Sequence, residues 1–379
     1  MEKQYLFTPG PTPVPPEVLA AMAEPMVHHR GADFQVIYKR CLVRLQEVFR
    51  TQSQVLLFSA SGTGALDSAV TNLLAPGDRV AAVVAGAFGE RWTKITGHYG
   101  LDTQRIDYAW GEKPVPSEIA AAVAESGAKV LLCTQSETST GVVADVQAIK
   151  AAVGKDVTVV VDAVSSLGAV ALETDAWGID VVVSGSQKAL MCPPGLAMTS
   201  VADHLWDKLP PSRSFYFDWR ATHKAQEAFD AAFTPAVSLI KGLDVALGML
   251  LDDGLDAAFD RHMRLGRAAR AGIKAMGLEL FSPDDDSSAV VTAVNCPEGI
   301  DGTELLRHLR KHHGVTLAPG QGAYKGKIFR IGHIGWFDIF DISAALAAIE
   351  LSLTAMGAKI ERGVAMTAAF AAYEERSAA

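Results

Sequence analysis

Lys188 stands in the stretch "VVSGSQKALMCPPGLA", between small residues and a double proline, at the end of an apolar run. A lysine at a crowded strand end is either an ordinary surface cation or a desolvated amine whose lowered pKa suits Schiff-base chemistry. One strand earlier, "VTVVVDAVSSLG" closes its apolar run on Asp162. A carboxylate there must be paired or must serve a positive ligand, because burying it alone is costly; the commoner alternative is a helix cap or a bond to a neighbouring loop. After "QVLLF" comes "SASGTGALDSAV", in which Ser61, Gly62, Thr63 and Gly64 lead directly into a helix. Free N–H groups, two hydroxyls and a helix N-terminus suit a phosphate, although a capped tight turn reads the same way. Asp67 stands where a dinucleotide fingerprint needs its third glycine, so that reading fails. After "RVAAVVA" comes "GAFGERW", which sets Phe88 between glycines, where it can stack on a planar ring or fold back onto the core.

Taken singly, each residue has a commonplace explanation. Together, a phosphate cradle, an aromatic, a carboxylate and an amine are the parts that hold pyridoxal 5′-phosphate, with Lys188 as its Schiff base and Asp162 opposite the pyridinium nitrogen.

These stretches meet only if the elements before them end on one rim. From Gln54 to Val201, Val- and Leu-rich runs without polar alternation alternate with helix-like segments such as "SEIAAAVAESG" and "VQAIKAAVG". That pattern predicts an α/β fold with a mostly parallel seven-stranded sheet, whose ligands gather beyond the strands' carboxyl ends. "SLIKGLDVALGMLLDDG" and "LDAAFDRHMRLGRAARAGIKAMG" read as two long helices, the second bridging to a smaller α+β C-terminal domain. There "LELF", "AVVTAV", "VTLA" and "KIFRIGH" read as strand-like, and the tail from Thr367 is expected to fray. The expected division is an N-terminal segment, 1–15, a large cofactor-binding domain, 16–253, and a small domain, 254–379.

A chain of 379 residues exceeds one ordinary core, consistent with two domains. The formal charge of −9, without a basic run, argues against a nucleic-acid partner. Apolar runs break short of the ~20 residues that a spanning helix needs, and the start has no signal-peptide pattern, so no membrane segment and a cytoplasmic location are expected. Cys41, Cys133, Cys192 and Cys296 are scattered without metal spacing and read as small buried hydrophobes. His312 and His313 are adjacent on a predicted helix, where they cannot form an i, i+4 pair, and "PGQGAYKGK" lacks P-loop spacing. No metal is expected.

The motifs "PGPTPVPPEV", "SGTGALDSAV", "GAFGER", "ETSTGV", "VDAVSSLGA", "SGSQKALMCPPGLA", "TPAVSL" and "KIFRIGHIG" run from Pro9 to Gly335. In them the chain resembles the class V aminotransferases of fold type I, the pyridoxal-phosphate-dependent transferase fold, in the alanine–glyoxylate and serine–pyruvate aminotransferase group. The resemblance implies that Lys188 carries the cofactor, Asp162 pairs with its ring nitrogen, and Phe88 and Val164 cover its two faces. It further implies that Thr138 bonds the phenolic oxygen, that Ser61, Gly62, Thr63 and Gln187 hold the phosphate, and that Arg330 grips the substrate's α-carboxylate. Thr234 is the candidate for a phosphate contact from a second subunit, in a homodimer with shared active sites. His29 and Arg30 resemble a segment near the substrate mouth or lock the N-terminal strand. The implied reaction moves an amino group from alanine or serine to glyoxylate or pyruvate. Its rivals are a cysteine desulfurase-like lyase, for which Cys296 is poorly placed, a phosphonate or phosphoserine aminotransferase, for which Arg220 and Lys224 could supply cations, and a non-catalytic relative of the same fold.

Overall fold

The structure, a computed structural model, describes residues 3–285 and 288–375. The chain opens with β1 (Tyr5–Leu6), α1 (Pro16–Ala23) and α2 (Ala32–Phe49). Strands and helices then alternate through β2 (Val55–Phe58), α3 (Gly62–Leu73), β3 (Arg79–Val84), α4 (Ala87–His98), β4 (Asp102–Asp107), α5 (Pro116–Ser126) and β5 (Val130–Thr134). A short hairpin of β6 (Ser136–Glu137) and β7 (Val142–Val143) precedes α6 (Val146–Val153), β8 (Thr158–Asp162), β9 (Val181–Gly185) and β10 (Ala197–Val201).

Seven strands form one sheet in the order β2-β10-β9-β8-β5-β3-β4. Only β10 runs against its neighbours; the other six share a direction, so their carboxyl ends lie on one rim. The uninterrupted apolar runs serve two cores at once: Leu131, Cys133, Val159 and Val161 face one layer, while Leu132, Val160, Val181 and Val183 face the other. Alternate side chains of a pleated strand point to opposite faces, and helices cover both, so no polar face is needed.

After α7 (Trp219–Glu227) and α8 (Val237–Asp252) comes α9 (Leu255–Ala275). Its first turns place Leu255 and Ala258 in the large core, and its later turns place Leu265, Ala268 and Ile273 in the small one. This helix is the beam between the two units. The small unit follows as β11 (Val291–Asn295), α10 (Gly302–His313), β12 (Val315–Thr316), β13 (Ala318–Pro319), β14 (Ile328–Gly332), α11 (Ile339–Ala355) and α12 (Val364–Glu374). Its antiparallel sheet runs β11-β14-β13, while β1 pairs in parallel with β12, so the first residues of the chain dock on the small unit. Among the described residues, no helix is long and apolar enough to cross a membrane.

Two expectations fail locally. "LELF" forms no strand; a single bridge joins Leu280 to Val294. The tail does not fray at Thr367: α12 continues to Glu374, with Ala365 and Ala369 buried in the small core and Gly363 N–H held by the Glu350 carboxylate at 2.9 and 3.0 Å. Small alanines let α12 pack closely against the small core.

Candidate active site

The small residues and prolines around Lys188 build a tight loop beyond β9. Ser186 ties both sides of it: its hydroxyl donates to Pro193 O at 2.6 Å and accepts from Leu196 N–H at 3.2 Å, while its carbonyl accepts from Cys192 N–H at 3.1 Å. A further turn closes through Met191 N–H to Lys188 O at 3.0 Å, with Met191 at φ 51°.

Three lysines are buried among the described residues, and they differ in kind. Lys150 pairs with Asp180 at 2.7 Å and Lys241 with Glu24 at 3.0 Å. Lys188 instead donates to a backbone carbonyl, Pro9 O, at 2.5 Å. Burial holds its pKa down at about 8; Arg330 and Arg91 push the same way, and Asp162 opposes them. Gly10 lies against the lysine stem so closely that a Cβ there would come 2.4 Å from Lys188 Cε. "PGPTP" at the start of the chain is therefore a wall of the lysine site.

Asp162 ends β8, the strand beside β9, and its Oδ1 accepts from Val164 N–H at 2.9 Å. Burial raises its pKa to about 6, with nearby Glu137 adding to the rise and the Val164 bond, Arg91 and Lys188 opposing it. Amine and carboxylate thus share one desolvated space, each pushed toward its neutral form.

Arg330 comes from the small unit, on β14. Its Nε donates to Pro319 O at 2.9 Å and its Nη1 to Thr138 O at 2.6 Å. Burial lowers its pKa to about 10, against the pull of Glu137. Among the described residues no carboxylate lies within ion-pair distance of it, so its buried charge is held by two carbonyls alone. Thr138 meets Arg330 through its carbonyl, a contact that the resemblance did not suggest.

The phosphate candidates gather beside this cluster. Ser61 is the extended residue before α3 and spends no side-chain bond on capping it. Gly62 fits where a Cβ would come 2.7 Å from Val164 Cγ2. Gln187 carries a buried amide oxygen without a partner. Amide oxygen and nitrogen exchange places by a half-turn, so this orphan can become a donor to an anion.

Phe88 is not a loop aromatic: it lies in the first turn of α4, its N–H held by Glu137 Oε2 at 3.0 Å. Its ring lies under the Arg91 guanidinium, with 4.7 Å to the centroid. Two residues that sequence reasoning passed over therefore matter. Glu137, buried and raised in pKa by burial, also accepts from Gly89 N–H at 3.1 Å and the Ser139 hydroxyl at 2.5 Å, tying α4 to the β6–β7 hairpin. Arg91 donates to Thr63 Oγ1 at 3.1 Å and so brings a cation to the cradle loop. An acid in "ETSTG" and a base one turn after Phe88 were the available signals.

Thr234 does not join the Lys188 cluster within one chain. It is exposed and lines a cleft of about 590 Å³ with Met26, His28, His29 and Val237. Arg30 pairs with Asp230, in the segment just before "TPAVSL". Arg220 is spent on the carbonyls of Trp206, Leu209 and Pro210 at 3.1, 2.6 and 3.0 Å, so it is no free cation for a substrate phosphate. Burial pushes the Cys296 thiol up to about 11, the opposite of an activated nucleophile.

A desolvated amine, a carboxylate on the next strand and a buried guanidinium without a carboxylate partner among the described residues form the candidate site, on a mostly parallel sheet. The profile of the family "Aminotransferase class-V" matches residues 4–329. The chain belongs to the class V aminotransferases. It is 40% identical over 94% of both chains to a protein of Synechococcus named soluble hydrogenase, small subunit. It is 35% identical to the L-aspartate–glyoxylate aminotransferase of Paracoccus denitrificans, over 99% of this chain and 97% of that one. The crystal structure of ureidoglycine–glyoxylate aminotransferase from Bacillus subtilis superposes with a TM-score of 0.93 at 30% identity, covering 99% of each chain.

Proposed function

We propose that this chain moves an amino group from a small amino acid, alanine or serine, to glyoxylate or pyruvate, with pyridoxal 5′-phosphate held at Lys188. The observation that carries this reading is the convergence of the Lys188 amine with the unpaired Arg330 guanidinium in one buried site. The names of glyoxylate aminotransferases among its relatives support the acceptor.

The residues fit the cofactor. Ser61, Gly62, Thr63 and Gln187 would hold its phosphate, Phe88 and Val164 its faces, Asp162 its ring nitrogen and Thr138 its phenolic oxygen. Bound there, it would supply a carbonyl for amines and a pyridinium ring that accepts the electron pair left when a Cα–H bond breaks. Arg330 grips the substrate carboxylate with the part of its fork not given to Pro319 and Thr138, and so orients Cα. With the cofactor bound, Lys188 would take the Cα proton and give it back on the far side of the amine nitrogen; a pKa near 8 lets one amine both accept and give a proton close to neutral pH. Asp162, as a carboxylate, keeps a proton on the ring nitrogen. A second copy of the chain, facing the cleft at Thr234 and His29, would complete the phosphate site and make the active unit a homodimer.

Two tests follow. The yellow band of the loaded protein should bleach on a single addition of alanine or serine and return with glyoxylate. Bleaching by 2-aminoethylphosphonate alone, or release of sulfide from cysteine, would move the assignment to one of the rival activities. Arg330→Lys is expected to lower kcat/KM for the amino donor roughly 10- to 100-fold, mostly through KM, because a point charge replaces a fork. Steady-state kinetics with alanine and serine measure this, and an unchanged KM would remove Arg330 from the carboxylate.

A further inference from the structure

His262 lies wholly inside the beam helix α9, remote in sequence from every motif of the site. Both its ring nitrogens are engaged: Nδ1 meets Ala258 O at 2.7 Å, and Nε2 accepts from Gly335 N–H at 2.9 Å. A carbonyl can only accept and a peptide N–H can only donate, so the ring is neutral with its proton on Nδ1. Burial, which drives its pKa down to about 3, agrees. The neighbouring Arg261 holds the other side of the same peptide region, donating from Nη1 to Gly335 O at 2.8 Å and Phe337 O at 3.0 Å.

Gly335 is where this clamp reaches the chemistry. It sits at φ +92°, and a Cβ on it would come 2.9 Å from Lys188 O and 3.1 Å from Thr12 Oγ1. Thr12 in turn donates its hydroxyl to Lys188 O at 3.3 Å. The backbone of Lys188 is thus braced from behind by a glycine that α9 holds through His262. Gly335 also lies three residues beyond the end of β14, the strand that carries Arg330.

We propose that His262 is a positioning residue for Lys188, acting through the N–H of Gly335. The inference rests on the reading of Lys188 as the cofactor lysine, but its test also has a readout without cofactor. His262→Leu fills the space and removes the acceptor; His262→Gln places an amide oxygen near the position of Nε2 and restores it. Competitive acetylation of the cofactor-free protein over a pH series, read by peptide mass, gives the titration midpoint of Lys188 in each variant. Kinetics of the loaded proteins give kcat and KM.

The expected result is a Lys188 midpoint displaced upward in His262→Leu, as water reaches the amine, with kcat lowered roughly 10- to 100-fold and KM for the donor little changed. His262→Gln should restore both. If His262→Leu does not fold, His262→Asn, whose amide ends near Nδ1 and cannot reach Gly335, takes its place with the same expectations. A folded Leu or Asn variant with wild-type midpoint and kcat, or a Gln variant as impaired as these, overturns the proposal. Failure of the wild-type protein to take up the cofactor would instead overturn the proposed function, and the acetylation midpoints would still decide the role of His262.

Discussion

Lys188→Ala is expected to stay colourless in the presence of pyridoxal phosphate and to lose amino-group transfer about 10⁴-fold, the upper end for one proton-moving side chain. Lys150 and Lys241 have carboxylate partners and cannot substitute, and among the described residues no other lysine acts on Asp162. The same amine also bears on stability. In the cofactor-free protein the Lys188 pKa falls from 10.5 to about 8, so its contribution to stability is present above the unfolded value and lost as pH falls through about 8. At pH 7 the free site therefore carries an unfavourable buried charge. Lys188→Met, which keeps most of the stem's volume without the charge, should raise the Tm of the cofactor-free protein at pH 7 while abolishing activity. A Tm equal to or below wild type there, with the gap unchanged at higher pH, would show that the amine is not strained by burial.

Asp162→Asn is the second large effect, expected to lower kcat by about 10²- to 10⁴-fold with the cofactor still bound. An amide cannot hold a proton on the ring nitrogen by charge, although it matches the carboxylate's shape. Its stability signature has the opposite pH direction from that of Lys188. The Asp162 pKa rises from 3.8 to about 6 in the folded protein, so the favourable contribution is present below the unfolded value and lost as pH rises through about 6. Cofactor-free Asp162→Asn should therefore gain on wild type between roughly pH 4 and 6 and stay more stable at pH 7. A series of thermal melts across that range tests the sign. A variant less stable than wild type at neutral pH would mean that Asp162 is held by a cation rather than stressed by burial.

The large sheet was legible because its strands are buried on both faces, which leaves long Val and Leu runs such as "VTVVV" with little else to be. The placement of Lys188, Asp162, Gly62 and Gln187 was legible for a related reason: each ends such a run or lies a few residues beyond it, and a parallel sheet carries those ends to one rim. What stayed hidden depends on contacts between distant parts of the chain. Nothing local marks Pro9 as the acceptor of the Lys188 amine, or Glu137 as the anchor of α4. Phe88 was misjudged in support because flanking glycines suggested a loose loop, whereas Gly89 is required there: a Cβ would come 2.7 Å from Val83 O as α4 starts tight against β3. The alanine-rich tail looked unanchored because its partner, α9, lies about a hundred residues earlier, and an all-small helix face shows little amphipathic pattern.

If the chain carries its cofactor on Lys188, that one amine should form the bond to it. Reduction of the pyridoxal-phosphate-loaded protein with borohydride, followed by peptide mapping, tests it most directly. The account predicts a phosphopyridoxyl group on the peptide containing Lys188 and on no other. Label on Lys150 or Lys241, or a loaded protein that yields no labelled peptide, would contradict it.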